Sequence, residues 1–316
     1  MTHDLDRLTA VLVSAVLLAG CAEEPGSETP PPIIDMHVHA YGANPSAAAP
    51  CYVPCDDPPR AAATDEELFD TTLAAMDAHN IVLAYLIGDP PMLERWSEAA
   101  PGRFFTSVRV IEAPPRPSVD ALREAHEAGL LQGIGEVGTQ YWGTPPNDPT
   151  LEPYFALAEE LDVPLLIHTV GIGARRPGFR SAAGNPLLLE DAIVRHPNLR
   201  LSVENAGWPF ADEMIALMYQ YPNVYADLST ISWIIPRNEF YTYLRRLMHA
   251  ELGDRLMFGT DAVYWPEAIH QSVEAIENAW FLSEEEKRGI FYNNAVRFLR
   301  LDSLDTFAER DVSDDA

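Results

Sequence analysis

The stretch IIDMHVH, residues 33–39, is an apolar run that ends in two histidines, His37 and His39, two positions apart. In a β-strand, residues i and i+2 lie on the same face, so both imidazoles are expected to point in one direction. Two neutral imidazoles on one rigid strand are a suitable ligand pair for a metal ion. The alternative is a strand whose two histidines serve packing, and the rest of the chain has to distinguish these interpretations.

From residue 33 onward, short apolar runs alternate with amphipathic stretches. Eight runs are predicted to be strands: 33–40, 81–88, 104–111, 131–137, 164–169, 199–204, 224–228 and 256–260. Near-continuous apolar strands separated by helices favour parallel pairing with both faces covered. Eight such units in about 250 residues predict an α/β fold, the (β/α)₈ TIM barrel. Residues 284–299, after the N-cap Ser283, predict an additional C-terminal helix. No glycine-rich dinucleotide motif follows a strand, which disfavours an open doubly wound sheet.

The composition limits which classes of molecule the protein can bind. The chain has 316 residues, of which 47% are hydrophobic, and this suits one large domain with a substantial core. The formal net charge is −27, so nothing neutralises phosphates in bulk, and a nucleic-acid partner is excluded. The sequence gives no indication of the oligomeric state.

The first 32 residues predict export rather than a folded element. Residues 1–21 contain a short apolar run that ends in Leu-Ala-Gly-Cys and resembles the lipobox of a bacterial signal peptide. The resemblance implies a lipidated Cys21, which would anchor the protein to a membrane in the periplasm or at the cell surface. Asp4 and Asp6 outnumber Arg7, whereas a signal peptide usually begins with a positively charged segment. The alternative is an uncleaved signal anchor or a buried helix. Residues 22–32 are proline-rich and predict a flexible tether.

Two further cysteines, Cys51 and Cys55, lie four positions apart in a predicted loop. In an oxidising compartment they could form a small disulfide, and the alternative is two free thiols. At the other end of the chain, residues 302–316 form an acidic tail that is expected to be frayed.

Metal-ligand types recur where the predicted strands end. His37 and His39 end the first strand, His168 ends the fifth, and Asp261 follows the eighth. Catalytic residues of a TIM barrel lie at the C-terminal ends of its strands, so these four side chains are expected to converge. Four nitrogen and oxygen ligands at such positions predict a metal site.

The motif set resembles the amidohydrolase superfamily. The HxH pair, the GIGEVG run at 133–138, the FGTD ending at 258–261 and the closing NNAVRFL helix are similar to its amidohydrolase-2 and TatD-like branches. The resemblance covers residues 33–301. It implies a metal-dependent hydrolase acting on a small molecule, with His37, His39, His168 and Asp261 as ligands. TatD-like members also use a fourth-strand glutamate as a metal ligand, and Glu136 matches that position.

One residue departs from the family pattern. The family usually carries a sixth-strand histidine, and Asn205 stands in its place in the run NAGWP. Asparagine can orient a water molecule or a carbonyl group but cannot carry a proton at neutral pH, so Asn205 is a candidate catalytic residue of altered function. Strand alternation predicts that the adjacent Glu204 points away from the site. The only lysine, Lys287, is remote from the strand ends, so a two-metal site would need Glu136 as its bridge.

The expected mechanism uses a divalent ion, by default Zn²⁺, with one or two ions per chain. The ion would lower the pKa of a water molecule, and Asp261 would take its proton during attack on an amide, ester or lactone carbonyl. Three arginines after the fifth strand, Arg175, Arg176 and Arg180, could bind a substrate carboxylate or phosphate, and Trp142 could form a pocket wall. Solvated charges and a rim aromatic are the alternatives. Two other functions stay open: a metal-dependent decarboxylase and a non-catalytic binding lipoprotein.

Overall fold

The computed structural model describes residues 30–49, 58–111, 116–173 and 176–301. Eight parallel strands pair in sequence order and form a nearly closed barrel with helices between them, which confirms the predicted (β/α)₈ TIM barrel. The strands are β1 Ile33–Ala40, β2 Ile81–Gly88, β3 Phe104–Val110, β4 Gly133–Val137, β5 Leu165–His168, β6 Leu201–Glu204, β7 Val224–Asp227 and β8 Leu256–Met257. The predicted lipobox with Cys21, most of the tether, Cys51, Cys55, Arg175 and the acidic tail lie outside the described residues and stay predictions.

The helices occupy the stretches between strands. They are α1 Asp65–Ala78, α2 Pro90–Ala99, α3 Val119–Glu127, α4 Glu152–Glu160, α5 Glu190–Arg195, α6 Ala211–Gln220, α7 Ile231–Ile234, α8 Arg237–His249, α9 Glu267–Glu277, α10 Glu284–Arg288 and α11 Asn294–Leu299. Short 3₁₀ turns cover Thr139–Trp142, Pro149–Leu151, Ser181–Gly184, Pro186–Leu189, Asn205–Gly207 and Gly253–Arg255. Thr64 and Ser118 cap α1 and α3 by accepting hydrogen bonds from backbone N–H groups. Of the helices in the described residues, none has the length and apolar character needed to span a membrane.

The predicted C-terminal helix is helical throughout but is divided into α10, a π-helical turn at Gly289–Asn293 and α11. Its apolar side joins the inward-facing residues of the strands in one buried cluster that includes Ile34, Met257 and Phe298. The Phe298 ring lies 5.0 Å from that of Tyr225, near the beginning of β7. The helix therefore covers strand beginnings and leaves the strand ends free to form a site.

The barrel closes between β1 and the segment after β8 by a few specific hydrogen bonds. β8 spans two residues where five were predicted, because the chain leaves the strand conformation after Met257. The backbone N–H of Met36 donates to Phe258 O at 2.9 Å, and that of Asp261 donates to His37 O at 2.7 Å. The second of these bonds places Asp261 directly beside the two histidines of β1.

Candidate metal centre and pocket

Three side chains meet where β1 and β8 end. The Nε2 atoms of His37 and His39 are 3.1 Å apart, and Asp261 Oδ1 lies 2.9 Å from His39 Nε2 and 3.6 Å from His37 Nε2. Ligands at 2.0–2.1 Å around a tetrahedral zinc ion are separated by about 3.3 Å. The spacing of the three donor atoms therefore fits one ion, although the sequence separates Asp261 from His39 by most of the barrel.

Gly259 makes this approach possible. A Cβ atom at Gly259 would lie 3.2 Å from His37 Cβ and 3.1 Å from Ser229 Cβ, which is tighter than most real contacts. Asp261 itself adopts a left-handed backbone with φ of 54°, a conformation that aspartate tolerates better than most residues. The GTD part of the FGTD motif thus turns the chain and aims the carboxylate at His39.

A second set of hydrogen bonds orients His37. Its Nδ1 lies 3.1 Å from Ser229 Oγ, and the Ser229 hydroxyl donates to the carboxylate of Asp227. Because that hydroxyl has a single proton, its oxygen accepts from His37 Nδ1–H, and the Nε2 lone pair is left facing Asp261 and His39. Such support of the other ring nitrogen is typical of metal-ligating histidines.

Glu136 lies between the histidines of β1 and His168 at the end of β5. Its Oε1 is 2.7 Å from His168 Nδ1, whereas its Oε2 is 3.8 Å from His39 Nε2. The surrounding glycines allow this position: a Cβ at Gly135, where φ is 132°, would lie 2.4 Å from Leu166 O. The GxGE motif therefore brings β4 close to β5 and presents one carboxylate to histidines of both β1 and β5.

The structure corrects the expected orientation of Glu204. This residue is the register partner of His168 and lies 3.9 Å from His37 Nε2, so it points into the barrel. The prediction assumes strand alternation through Asn205, but Asn205 has φ of 58° and lies after the end of β6. Its side chain therefore could not serve as the reference for the strand faces.

Asn205 is fully buried and does not line the pocket. Its Oδ1 accepts a hydrogen bond from Thr230 N and lies 3.1 Å from Ser229 Oγ, while its backbone N–H donates to Asp227 Oδ1. The asparagine thus holds the segment after β7, and through Ser229 it supports His37 rather than a substrate.

Burial and neighbouring charges shift several pKa values. Burial opposes protonation of His37, but the carboxylates of Glu204 and Asp261 outweigh it and raise the pKa of His37 well above its usual value. Burial would raise the pKa of Glu136, yet His168 and His39 lower it to about 2. For Glu204, burial and the carboxylates of Glu136 and Asp227 raise the pKa well above the usual range.

The donor set fits a divalent cation. Within the described part of the chain, several buried polar atoms here have no hydrogen-bond partner: His39 Nδ1, His168 Nε2, both carboxylate oxygens of Glu204, Asn205 Nδ2 and Asp227 Oδ2. Three overlapping triads have donor atoms within 4.8 Å of one another: His37, His39 and Glu136; His37, Glu204 and Asp227; and Glu136, His168 and Glu204. Buried carboxylates that lack partners are costly, and a bound cation would compensate for them.

A pocket of about 240 Å³ lies over this cluster. His39, Glu136, His168 and Asp261 are among its lining residues, whereas His37 is buried beneath it. The remaining wall is mostly aromatic and apolar and comprises Tyr41, Ala48, Arg109, Ile111, Tyr141, Trp142, Val170, Ile172, Gly173, Arg176, Thr230, Trp233, Ile234, Val263, Tyr264 and Trp265. A mostly apolar wall with a few converging polar groups is typical of a small-molecule site.

Two similar aromatic contacts, each between a tyrosine, a histidine and an arginine, flank the cluster. The Tyr41 ring lies 4.7 Å from His39 and 4.6 Å from the Arg109 guanidinium carbon. The Tyr141 ring lies 4.3 Å from His168 and 5.2 Å from the corresponding atom of Arg176. Sequence reasoning missed Tyr41, Tyr141 and Arg109. Their signal was available, because Tyr41 follows the HxH motif by two positions and Arg109 lies near the end of a predicted strand.

Of the predicted substrate-binding residues that the structure describes, Arg176 and Trp142 line the pocket and Arg180 does not. Arg176 lines the pocket, with its guanidinium carbon also 5.4 Å from the ring of Trp142, which is 39% exposed at the rim. Arg180 does not line it, and its Nη1 donates to the carbonyl oxygens of Pro177, Gly178 and Phe179.

Comparison with known proteins places this chain in a family. The Amidohydro_2 amidohydrolase family matches residues 34–301, which is most of the chain and all of the barrel except Ile33. This chain is an amidohydrolase-2 family protein. Members of that family are metal-dependent hydrolases or decarboxylases. The cluster and pocket of this amidohydrolase lie at the strand ends, where such chemistry takes place in a TIM barrel.

Solved structures share the fold at low sequence identity. A TIM-barrel protein from Bordetella bronchiseptica has a TM-score of 0.65 and 17% identity, covering 85% of this chain and 98% of its own. A candidate 2-pyrone-4,6-dicarboxylic acid hydrolase from Pseudomonas putida has a TM-score of 0.61 and 16% identity, with coverages of 86% and 98%. A 2,6-dihydroxybenzoate decarboxylase has a TM-score of 0.58 and 18% identity, with coverages of 87% and 100%.

A curated relative shares a shorter stretch. Protein fluG of Emericella nidulans is 29% identical over 106 residues, which are 34% of this chain. The match spans only 12% of the length of that protein.

Proposed function

We propose that this amidohydrolase is a metal-dependent hydrolase that cleaves the acyl C–O or C–N bond of a small carboxylated ester, lactone or amide. The observation that supports this function is the position of Asp261 at the floor of the pocket. Its carboxylate is 2.9 Å from His39 Nε2, and 13% of its side chain is exposed. Among the similar structures, the Pseudomonas putida protein is a candidate hydrolase of a dicarboxylated pyrone, which is a cyclic ester.

The residues that would hold the ion are His37, His39, Glu136, His168 and Asp261, and zinc is the ion that we propose for this ligand set. When bound, such an ion polarises a carbonyl group and makes water more acidic. Asp261 is placed to accept a proton from the attacking water and to return it to the leaving group. Asn205 is not needed for this step, since its side chain is occupied at the segment after β7.

The aromatic walls and Arg176 would position the substrate. Arg176 lies over Tyr141 and Trp142, and in the described residues no carboxylate forms an ion pair with it. A substrate carboxylate could therefore bind its guanidinium in a bidentate manner. Burial raises the pKa of Tyr41 and of Tyr141, so both phenols stay neutral and can donate hydrogen bonds into the pocket.

A decarboxylase is the second candidate, because the same pocket could stack an aromatic acid between its rings. The similarity in fold to the 2,6-dihydroxybenzoate decarboxylase favours decarboxylation to the same extent as the similarity to the pyrone hydrolase favours hydrolysis. The two reactions differ in product, since only decarboxylation releases carbon dioxide.

The test is a panel of lactones, esters and amides, each as a free carboxylate and as its methyl ester, with carbon dioxide measured in parallel. We expect hydrolysis of carboxylated members and a kcat about 10²–10⁴-fold lower for Asp261→Asn, because an amide cannot accept the proton. Arg180→Ala is the control and should retain activity, whereas Arg176→Ala should raise KM for the carboxylated members. Carbon dioxide release without hydrolysis would instead assign the decarboxylase function.

A further inference from the structure

Glu204 has a carboxylate that the proposed hydrolysis does not use. The side chain is fully buried at the end of β6, and in the described structure neither of its oxygens has a hydrogen-bond partner. Its nearest ionic neighbour is His37 Nε2, at 3.9 Å, which is beyond hydrogen-bond distance. A buried carboxylate in this state is costly unless a cation or proton satisfies it.

Other buried carboxylates nearby have structural partners. Asp35 accepts hydrogen bonds from His37 N, Thr260 N and Thr260 Oγ1. Asp227 Oδ1 accepts from the backbone N–H groups of Asn205 and Ser229 and from the Ser229 hydroxyl. Glu204 therefore differs from both in having two free oxygens directed into the ligand cluster.

The donor atoms around Glu204 form a set of their own. Glu136, His168 and Glu204 each offer a ligand atom within 4.8 Å of the others. Glu136 directs Oε1 toward His168 and Oε2 toward His39, so one carboxylate faces both this set and the set of His37, His39 and Asp261. A carboxylate that presents one oxygen to each of two donor sets is suited to bridge two ions.

We propose that the centre holds two divalent ions and that Glu204 is a ligand of the second, together with His168 and the bridging Glu136. This inference rests on the proposed function, since it concerns the same centre. The sixth strand then supplies a carboxylate in place of the usual histidine, because Asn205 turns away to hold the segment after β7.

The test measures metal content and magnetic coupling rather than turnover. Purified full-length protein is stripped with a chelator, reconstituted with Mn²⁺, and examined by elemental analysis and electron paramagnetic resonance. We expect two equivalents and an exchange-coupled signal in the parent, and one equivalent with an uncoupled signal in Glu204→Gln. Glu204→Asp, which keeps a carboxylate, should recover the second equivalent at higher Mn²⁺ concentration.

Glu159→Gln is the matched control, because it makes the same change from glutamate to glutamine but away from the centre, where Glu159 pairs with His196, and it should retain two equivalents. Circular dichroism verifies that each variant is folded. Two equivalents in Glu204→Gln, or one in the parent, would overturn the assignment of Glu204 and leave the hydrolysis test unaffected. Loss of hydrolysis with both equivalents retained would reject the proposed function alone.

Discussion

His37 is held at Nδ1, and this defines which ring nitrogen can bind a metal. Ser229 Oγ contacts Nδ1 at 3.1 Å, and Nε2 lies 3.1 Å from His39 Nε2. A serine two positions after β7 thus fixes the tautomer of a ligand on β1. The hydroxyl is in turn fixed by Asp227, so the orientation of the imidazole on β1 depends on the end of β7.

Replacing Ser229 by alanine should weaken metal binding without removing a ligand. Without the hydroxyl, the imidazole of His37 can rotate and change tautomer, and loss of such support typically costs 10–100-fold in affinity. We expect a Kd for Zn²⁺ at least about tenfold higher by competition with a chromophoric chelator. The control is Ser232→Ala, a buried serine whose hydroxyl donates to Ser229 O and contacts Ser272. Equal affinities for the two variants would contradict the role of Ser229.

At the scale of elements, the contact between β1 and the segment after β8 determines where Asp261 lies. Asp35 joins them, since its two oxygens accept from Thr260 N and Thr260 Oγ1 as well as from His37 N. Burial raises the pKa of Asp35 to about 7, although the hydrogen bonds from Thr260 and His37 oppose this. The folded state therefore binds the proton more tightly than the unfolded state, where the pKa is 3.8.

The free energy of unfolding should change with pH as Asp35 titrates. Because its folded pKa is raised, the contribution of Asp35 is most favourable below pH 4 and decreases as the pH rises to about 7. Asp35→Asn should flatten the free energy of unfolding between these values, measured by urea denaturation. An amide also fits, because its oxygen can accept both N–H groups and its nitrogen can donate to Thr260 Oγ1.

Replacing Asp35 by alanine should lower the free energy of unfolding more than replacing it by asparagine. Asp35→Ala leaves two buried N–H groups without acceptors, so we expect a loss of about 2–4 kcal/mol at pH 7. If Asp35→Asn and Asp35→Ala were equally destabilised, the hydrogen bonds to Thr260 would not be what stabilises this contact.

For the whole molecule, a bound ion and the fold should stabilise each other. The cluster of buried carboxylates repels itself in the absence of a cation, and an ion that binds only the folded state adds stability by mass action. At an ion concentration of 100 times Kd this is about 2.7 kcal/mol, which corresponds to a rise in Tm of about 5 °C or more. Stripping the protein with a chelator should reverse the rise in a calorimetric scan.

A control variant distinguishes an ion bound at the centre from an ion bound by surface histidines. His79 Nε2, just after α1, and His270 Nδ1, on α9, are 2.6 Å apart and away from the pocket, and they could also bind an added metal. His270→Ala should keep the full metal-dependent rise, and His37→Ala should lose most of it. The opposite pattern would place the stabilising ion at the surface pair.

The sequence by itself determined the barrel and the ligand types. Eight apolar runs separated by amphipathic stretches require parallel strands with covered faces, and the predicted bounds of β1 and β2 agree with the structure. The HxH spacing and the histidine and aspartate at the strand ends follow from local periodicity, because two-residue alternation fixes which side chains share a face.

Only the tertiary structure decided how these side chains meet. The inward position of Glu204 depends on the end of β6 and on its register with His168, which no local pattern specifies. Likewise, Ser229 supports His37 across 192 positions, and Arg180 binds its own loop while Arg176 faces the pocket. Periodicity determines the face of a strand, but barrel closure determines which faces converge and which atoms come within bonding distance.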